Sequence, residues 1–166
     1  NNLVKPSAGN PVSIPDSKEM AIGVYYLTSV DEKLAKYAHP FGSEAEAITA
    51  AQNNIVSERQ LVMVRRNPSS LELTETTVGR IIFNQMLPKE WDFINHNLPR
   101  KEISALFHRA IRNLSVKQVV KLVDGVKNIG FAYATTSGLS FAVSDNELYA
   151  DKANCIEEGN KKAQEI

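Results

Sequence analysis

Two stretches with apolar residues at helical spacing lie almost end to end between residues 100 and 128, and they constrain the fold most. The first opens at Pro99 and carries Ile103, Leu106, Phe107, Ala110, Ile111 and Leu114. The second opens with a capping-box pattern at residues 115–118 and carries Val116, Val119, Val120, Val123 and Val126. Because two or three residues join them, they are predicted to form a central αα-hairpin. Across its turn, the residues expected to face each other are Leu106, Phe107 and Ile111 on one side and Val119, Val120 and Val123 on the other.

Three more helices are predicted upstream of the hairpin. Residues 17–28 follow a capping-box pattern at 16–19, although residues 24–27 would also suit a strand. An Ala-rich helix should run from a second capping box at residue 43 to about residue 52. The third should begin at Thr76 or Thr77 and run to Leu87, where Pro88 stops it.

Strands are expected to be few and short. Residues 61–64 are rich in β-formers, and the alternation around Leu71 and Leu73 predicts a second strand with one wet face. Gly130 is expected to end the second hairpin helix, and Ser137-Gly138 to turn the chain. A strand with a buried face is predicted after that turn, at Leu139, Phe141 and Val143.

The two ends of the chain differ from its centre. Residues 1–15 hold three prolines and a glycine and should be extended or turning. The charged tail from about Ala150 favours a helix, which needs a partner surface or the rest of its hairpin to be stable. The predicted fold class is therefore α+β, mixed and mainly helical, with short strands, a central αα-hairpin and a charged C-terminal helix.

Composition limits the function classes. The 166 residues include 43% hydrophobic and 23% charged residues, which is typical of a globular protein. Lys plus Arg equals Asp plus Glu at 19 each, so nothing supports a dedicated basic DNA-binding module. The single cysteine, Cys155, excludes an internal disulfide and fits a reducing compartment. No apolar run approaches a membrane span, so we expect a cytoplasmic protein without a membrane partner. Asn1 in place of Met indicates a segment of a longer protein.

The sequence predicts no catalytic residue and no metal ligand. His39, His96 and His108 are scattered, and none lies at zinc-ligand spacing from another His or from Cys155. Glycine-rich phosphate loops and paired aspartates for Mg²⁺ are missing. A hydrolase is therefore disfavoured, because no nucleophile, base and orienting group can be assembled.

The predicted hairpin leaves a nucleic-acid-binding alternative open. Its basic residues could contact phosphates: Arg100, Lys101, Arg109, Arg112, Lys117, Lys121 and Lys127. On its second helix, however, Gln118 is almost the only side chain suited to direct base readout. A stand-alone helical-hairpin nucleic-acid-binding domain is accordingly kept as the second hypothesis.

Two longer strings carry a family resemblance. Residues 76–84 read Thr-Thr-Val-Gly-Arg-Ile-Ile-Phe-Asn, and residues 130–138 read Gly-Phe-Ala-Tyr-Ala-Thr-Thr-Ser-Gly. With the opening Asn-Asn-Leu and the Gly-Val-Tyr-Tyr-Leu-Thr of residues 23–28, they resemble the beta-prime (largest) subunit of bacterial DNA-directed RNA polymerase. The resemblance extends over essentially the whole chain.

The resemblance implies a place in a large enzyme. Residues 1–128 would be the pore-like domain lining the secondary channel, where nucleoside triphosphates enter. Residues 129–166 would begin the funnel with its first rim helix, where transcript-cleavage factors dock. It implies the beta, alpha, omega and sigma subunits, template DNA and RNA as partners, and a bacterial, nucleoid-associated location. Mg²⁺ and Zn²⁺ are expected in the whole subunit, but no cofactor in this chain.

Five residues are candidates for contacts in the channel or with a regulator. Ser17 and Lys18 stand where the family has Ser-Gln, so an amide near the channel becomes a lysine. Thr136 stands where many relatives have arginine. Lys117 and Asp124 match positions where a nucleotide regulator binds in some relatives, although both also suit an ordinary solvated helix face.

Overall fold

The computed structural model describes residues 14–15, 17–67, 69–140, 142, 145 and 151–164. Within them lie six helices and two strands, which confirms the α+β, mainly helical class. In chain order they are α1 (Lys18–Thr28), α2 (Glu44–Gln52), β1 (Leu61–Val64), β2 (Thr74–Thr77), α3 (Val78–Asn84), α4 (Arg100–Asn113), α5 (Val116–Ser137) and α6 (Lys152–Gln164). No helix among the described residues is long and apolar enough to cross a membrane.

The two helices predicted between residues 100 and 128 are present as α4 and α5. Pro99 precedes α4, and Ser115 forms the capping box with Gln118 at the start of α5. The prediction that Gly130 ends the second helix is wrong. Helix α5 continues to Ser137 and ends at Gly138, whose φ of 59° is left-handed, so the chain turns where Ser137-Gly138 was predicted to turn it. Gly130 is buried inside the helix, because its missing side chain makes room for another helix.

That other helix is α1, which is the main packing partner of α5, whereas α4 is a lesser one. The expected facing across the hairpin is therefore only partly correct. Val119 is 2% exposed and packs in the same core as Leu106 and Phe107. Val120 is 45% exposed, so its assignment to the facing surface is wrong. The buried side of α5 is set by two neighbouring helices instead of one.

Strands β1 and β2 form a two-stranded antiparallel sheet in which Leu61 pairs with Thr77 and Val64 with Thr74. The strand predicted around Leu71 and Leu73 is wrong, since these residues carry no regular structure and Leu71 is 86% exposed. The pairing with β1 places the strand three residues later. Its last residue, Thr77, is also the N-cap of α3 and accepts a hydrogen bond from the Arg80 amide.

Helix α3 ends at Asn84, three residues before the expected end at Leu87. The Asn84 side-chain amide donates to the Arg80 and Ile94 carbonyls at 2.8 and 2.9 Å, and its oxygen accepts from the Ile94 amide at 2.8 Å. These bonds tie the last turn to the following loop, so the helix stops before the proline.

Helix α1 settles the choice at residues 24–27 in favour of a helix. Its N-cap is Ser17, whose side chain makes no capping bond, and Asp16 of the expected capping box lies outside the described residues. Phe41 joins the sheet by a parallel bridge to Val64. Helix α2 has the predicted extent, with the Ser43 hydroxyl accepting from the Glu46 amide at 3.1 Å.

Two apolar clusters form the core. The larger one gathers side chains from α1, α3, α4 and α5, and the smaller one lies between α2, β1 and α3. Ile82 packs against both, so α3 joins them. Helix α6 buries no residue. A strand was expected after residue 138, but Leu139 carries no regular structure, and Phe141 and Val143 lie outside the described residues. Residues 1–13 of the expected extended segment also lie outside them.

Candidate functional site

Ser17 and Lys18 lie at the first turn of α1, and both are exposed. The Ser17 carbonyl accepts from the Ala21 amide at 2.8 Å, while its hydroxyl makes no capping bond. No hydrogen bond or ion pair within residues 17–140 that the structure describes joins either side chain to another candidate residue. The pair is therefore an exposed polar end of α1.

Lys117 and Asp124 lie two turns apart on the exposed side of α5. Seven residues of helix separate them by about 10 Å along the axis, on one face. The Asp124 carboxylate pairs with Lys127 Nζ at 3.0 Å, with both side chains largely in solvent. Such an exposed pair contributes little to stability. Lys117 remains available to solvent beside it.

Thr136 is exposed in the last turn of α5, and its hydroxyl donates to the Ala132 carbonyl at 3.0 Å. Twelve residues of helix place it about 18 Å from Asp124 along the axis. The five candidates therefore do not converge on one site. They mark the start of α1 and three levels of α5, which are spread over about 28 Å along its axis.

The polar centre of the fold is a residue that the sequence did not single out, Arg80 in α3. It is 8% exposed, and its Nε donates to the Thr28 carbonyl at 2.9 Å. One terminal nitrogen donates to Asn95 Oδ1 at 3.2 Å and the other to Asn97 Oδ1 at 3.1 Å. The planar fork of the guanidinium thus contacts three points on two segments, which lysine could not do.

Two threonines extend this arrangement. The Thr28 hydroxyl donates to the Val24 carbonyl at 2.9 Å and accepts from the Leu98 amide at 3.0 Å. The Thr76 hydroxyl donates to Asn95 Oδ1 at 2.7 Å. We call Arg80 and these partners the Arg80 network. It fastens the end of α1, the β2–α3 junction and the loop before α4 to one another.

In the described hydrogen bonds, the charged Arg80 guanidinium donates only to neutral acceptors: a backbone carbonyl and two side-chain amide oxygens. Burial lowers the pKa of its guanidinium, because desolvation disfavours the charged form. An arginine stays protonated at neutral pH even so. The network is therefore a buried cation whose hydrogen bonds go to neutral oxygen atoms. Such an arrangement fits a structural role, holding elements of the fold together, better than a catalytic one.

A second polar tie joins α5 to the turn before β1. The Tyr133 hydroxyl donates to Glu58 Oε1 at 2.8 Å, and the Glu58 carbonyl accepts from the Gly79 amide at 2.8 Å. Burial raises the pKa of Tyr133, and the hydrogen bond to Glu58 and the Glu58 charge raise it further. The hydroxyl therefore stays a donor throughout the neutral range.

The chemistry available to these groups is limited. No three His, Cys, Asp or Glu side chains lie close enough to hold a metal ion within the described ranges. Cys155 is exposed on α6, and His96 pairs with Glu102 at 2.6 Å on the surface. The residues that the structure describes therefore do not fit a Mg²⁺ or Zn²⁺ site.

One sequence signal could have pointed to Arg80. It stands in a mainly apolar stretch of sequence, between Val78 and Ile81, where an arginine needs partners to be buried. The partners Asn95 and Asn97 lie 15 and 17 residues further on, in a loop. Their spacing carries no helical or strand period, so the sequence alone could not name them.

Comparison with known proteins gives a consistent result. The sequence profile of the family described as RNA polymerase Rpb1, domain 3, matches residues 2–146. The subunit beta' of DNA-directed RNA polymerase from Pelotomaculum thermopropionicum is 34% identical over 166 residues, which is 100% of this chain and 14% of that protein. Those of Desulforudis audaxviator and Dehalococcoides mccartyi are 35% and 36% identical, over 99% and 93% of this chain and 14% and 12% of theirs. The chain thus spans about a seventh of the length of these curated relatives.

Proposed function

Because the chain belongs to the RNA polymerase beta' family, through its Rpb1 domain 3, we propose that it lines the secondary channel for entry of nucleoside triphosphates during DNA-templated transcription. The resemblance predicted from residues 76–84 and 130–138 is confirmed at the level of the family. The match over residues 2–146 is the observation that carries the proposal.

The geometry favours a structural wall of the channel over a catalytic centre. The polar groups with the closest contacts, Arg80 and Tyr133, join helices to loops in the interior. The candidates Lys18, Lys117 and Thr136 project from exposed turns of α1 and α5. A wall of this kind holds the neighbouring active centre in place and presents polar side chains to passing nucleotides.

The division of the chain follows the same proposal. Residues 1–128 form the pore-like part, and residues 129–166 begin the funnel, with α5 continuous across the division. Helix α6 acts as the first rim helix, on which transcript-cleavage factors dock. Its complete exposure supports this role, because a helix of 13 residues without a buried face is marginal without a partner.

We propose the beta, alpha, omega and sigma subunits, template DNA and RNA as partners, in the nucleoid region of a bacterial cytoplasm. Mg²⁺ and Zn²⁺ bind elsewhere in the subunit, since the described residues do not fit a site for either. The isolated chain should therefore not incorporate ribonucleotides with template and Mg²⁺, and incorporation would contradict this part of the proposal.

The placement of this chain in the channel wall can be tested by blocking the channel in the assembled polymerase. Cys155→Ser first removes the exposed native thiol. Thr136→Cys or Lys18→Cys is then coupled to a bulky disulfide reagent, and nucleotide incorporation is measured against nucleoside triphosphate concentration. We expect the adduct to raise the apparent KM for the nucleotide, and a reductant to restore it.

The control couples the same reagent to Asn53→Cys, at the exposed end of α2. It should leave the KM unchanged. Equal kinetics for all adducts would show that neither α1 nor the end of α5 lines the entry route. Family membership would stand in that case, because it rests on sequence.

The alternative of a stand-alone nucleic-acid-binding hairpin has a different readout. Helix α5 packs mainly against α1, so α4 and α5 are not an independent unit. With equal numbers of acidic and basic residues, we expect at most weak, nonspecific DNA binding. A sequence-specific complex that survives physiological salt would favour the alternative.

A further inference from the structure

The β1–β2 sheet has one side packed on the core and one outer side. Val62 and Val64 are completely buried in the smaller cluster, so Met63, which stands between them in β1, lies on the outer side. Glu75 is the partner of Met63 in β2, and its exposed carboxylate forms an ion pair with Lys36. Met63 and Glu75 therefore mark the outer side of the sheet.

Arg65 continues the outer side beyond the end of β1. Its backbone amide donates to the Phe41 carbonyl at 3.0 Å, so the chain is still paired there, and alternation places its side chain with that of Met63. The next residue, Arg66, lies on the core side. Its guanidinium carbon is 3.5 Å from the centre of the Phe93 ring, which packs against the smaller cluster. The two adjacent arginines thus belong to opposite sides of the sheet.

Arg65 carries a buried donor without an acceptor. Its Nε is shielded from solvent, and it makes no hydrogen bond within the described residues. Two other cations nearby are paired inside the chain, since Arg66 Nε donates to Glu44 at 2.8 Å and Lys36 pairs with Glu75. A buried donor without an acceptor is destabilising, and in folded proteins such groups are nearly always paired. The outer side of the sheet therefore calls for an acceptor from beyond these residues.

Two leucines give the same side an apolar margin. Leu73 precedes β2 by one residue and is 37% exposed, and Leu71 is 86% exposed. Their alternation with Glu72 is the pattern of a strand with one wet and one covered face, yet both leucines are open to solvent. We call Met63, Arg65, Leu71 and Leu73 the outer sheet surface. Exposed apolar residues grouped in this way mark an interaction surface more often than single ones do.

A permanent partner fits the outer sheet surface better than a transient one. Permanent interfaces are the more apolar class, and each release of a transient partner would again expose the leucines and leave the Arg65 donor without an acceptor. This chain spans about a seventh of the length of its curated relatives, so a subunit of that size holds most of its residues elsewhere. A segment tethered in the same subunit also has a far higher effective concentration than a separate protein.

We propose that the outer sheet surface is an internal docking site, which another segment of the same subunit covers in the complete protein. That segment places an apolar side chain against Leu71 and Leu73 and a carboxylate against the Arg65 guanidinium. A carboxylate matches the guanidinium both in charge and in its two-pronged geometry, which a single neutral acceptor does not. The proposal rests on the membership of this chain in a larger subunit and is independent of its placement in the channel.

The first test measures whether assembly covers Leu71. Cys155→Ser removes the exposed native thiol, and Leu71→Cys places a thiol on the outer sheet surface. Its rate of modification by a maleimide is measured in the isolated chain and in the assembled polymerase. We expect assembly to slow the reaction at least about tenfold, because a covered side chain reacts only when the contact opens. Asn53→Cys, at the exposed end of α2, is the control and should react equally in both. Equal rates for Leu71→Cys would overturn the proposal.

The second test concerns the charged contact. In the assembled polymerase, Arg65→Gln should raise the modification rate of Leu71→Cys at least about fivefold, because the carboxylate of the covering segment loses its partner. Arg66→Gln is the matched control and should leave the rate unchanged, since the partner of Arg66 is Glu44 of this chain. In the isolated chain neither variant should alter the rate. The same effect from both variants would contradict a contact at Arg65.

The third test identifies the covering segment. Leu71→Cys is coupled to benzophenone maleimide in the assembled polymerase, and the peptide cross-linked by light is sequenced by mass spectrometry. We expect a peptide of the same subunit that holds an aspartate or a glutamate beside an apolar residue. A peptide from another subunit or from a second copy of this chain would overturn the proposal, as would the absence of a cross-link. The KM measurement with adducts at Thr136 and Lys18 tests the placement in the channel separately, so either proposal can fail without the other.

Discussion

Gly23 of α1 and Gly130 of α5 bring two helix backbones into direct contact. A Cβ atom built at Gly23 would lie 1.8 Å from the Gly130 carbonyl oxygen, and one at Gly130 would lie 2.9 Å from the Cα of Met20. Neither neighbour is a flexible side chain that could move aside. The position of α1 over α5 depends on this pair.

The first prediction follows from that contact. Gly23→Ala should lower the free energy of unfolding by at least about 3 kcal/mol, because added bulk in a closed backbone contact forces the helices apart. Gly159→Ala is the matched control in α6, where a Cβ would meet nothing within 4 Å. The control should be neutral or slightly stabilising, since alanine favours a helix. Urea unfolding of both variants measures the difference, and equal stabilities would contradict the crossing.

The second prediction concerns Arg80. Arg80→Met keeps a long side chain in α3 but removes the donors to Thr28, Asn95 and Asn97. We expect a loss of about 2–3 kcal/mol, mainly from the buried Thr28 carbonyl left unpaired. Arg112→Met, at an exposed position of α4, should stay within about 0.5 kcal/mol of the unmodified protein. If denaturant melts gave the same value for both, the network would not stabilise the fold.

The third prediction is a pH dependence at Tyr133. Its folded pKa is raised above the ordinary 10.0, so the stability that it contributes is fully present below pH 10 and is lost as pH rises beyond it. Tyr133→Phe should cost about 1 kcal/mol at pH 8 by loss of the hydrogen bond to Glu58. The gap between the two proteins should shrink above pH 10. A gap that is constant from pH 8 to 11 would exclude the linkage, and titration of the other tyrosines and lysines cancels in the comparison.

Short sequence patterns correctly predict the structural features that depend only on neighbouring residues. The capping box at Ser115, the Ala-rich helix α2 and the turn at Gly138 depend on neighbouring residues, and each lies where it was predicted. These features need no partner from elsewhere in the chain, so spacing and residue type suffice.

Elements set by distant contacts were harder to predict. Strand β2 begins at Thr74 because its register is fixed by β1, and the alternation at Leu71 and Leu73 has no such partner. Gly130 has the residue type of a helix end, but its missing side chain serves to admit α1. Tyr25, Arg59 and Leu139 come from separate parts of the chain and line one cavity, and no sequence spacing links them.

A fourth prediction tests the core between α4 and α5. Phe107 is completely buried among residues of both helices and α1. Phe107→Ala should cost about 3–5 kcal/mol, as for other buried aromatic residues. Phe131→Ala removes the same ring from a position that is 47% exposed, and it should cost less than about 1 kcal/mol. Thermal unfolding followed by circular dichroism compares the two, and similar midpoints would contradict the burial of Phe107.

The last prediction concerns two adjacent valines, both of which the sequence pattern assigns to the buried face of α5. Val119 is 2% exposed and Val120 is 45% exposed, because α5 is held by α1 and α4 together on one side. Val119→Ala should cost about 2 kcal/mol, since two buried methyl groups are lost and a small cavity remains. Val120→Ala should change the stability by less than about 0.5 kcal/mol, because the side chain is half in water and alanine is the better helix former. Urea melts of the two variants measure this contrast directly. Equal losses would mean that α5 is rotated to bury both valines, as an isolated hairpin would require, and the packing of α5 against α1 would then be wrong.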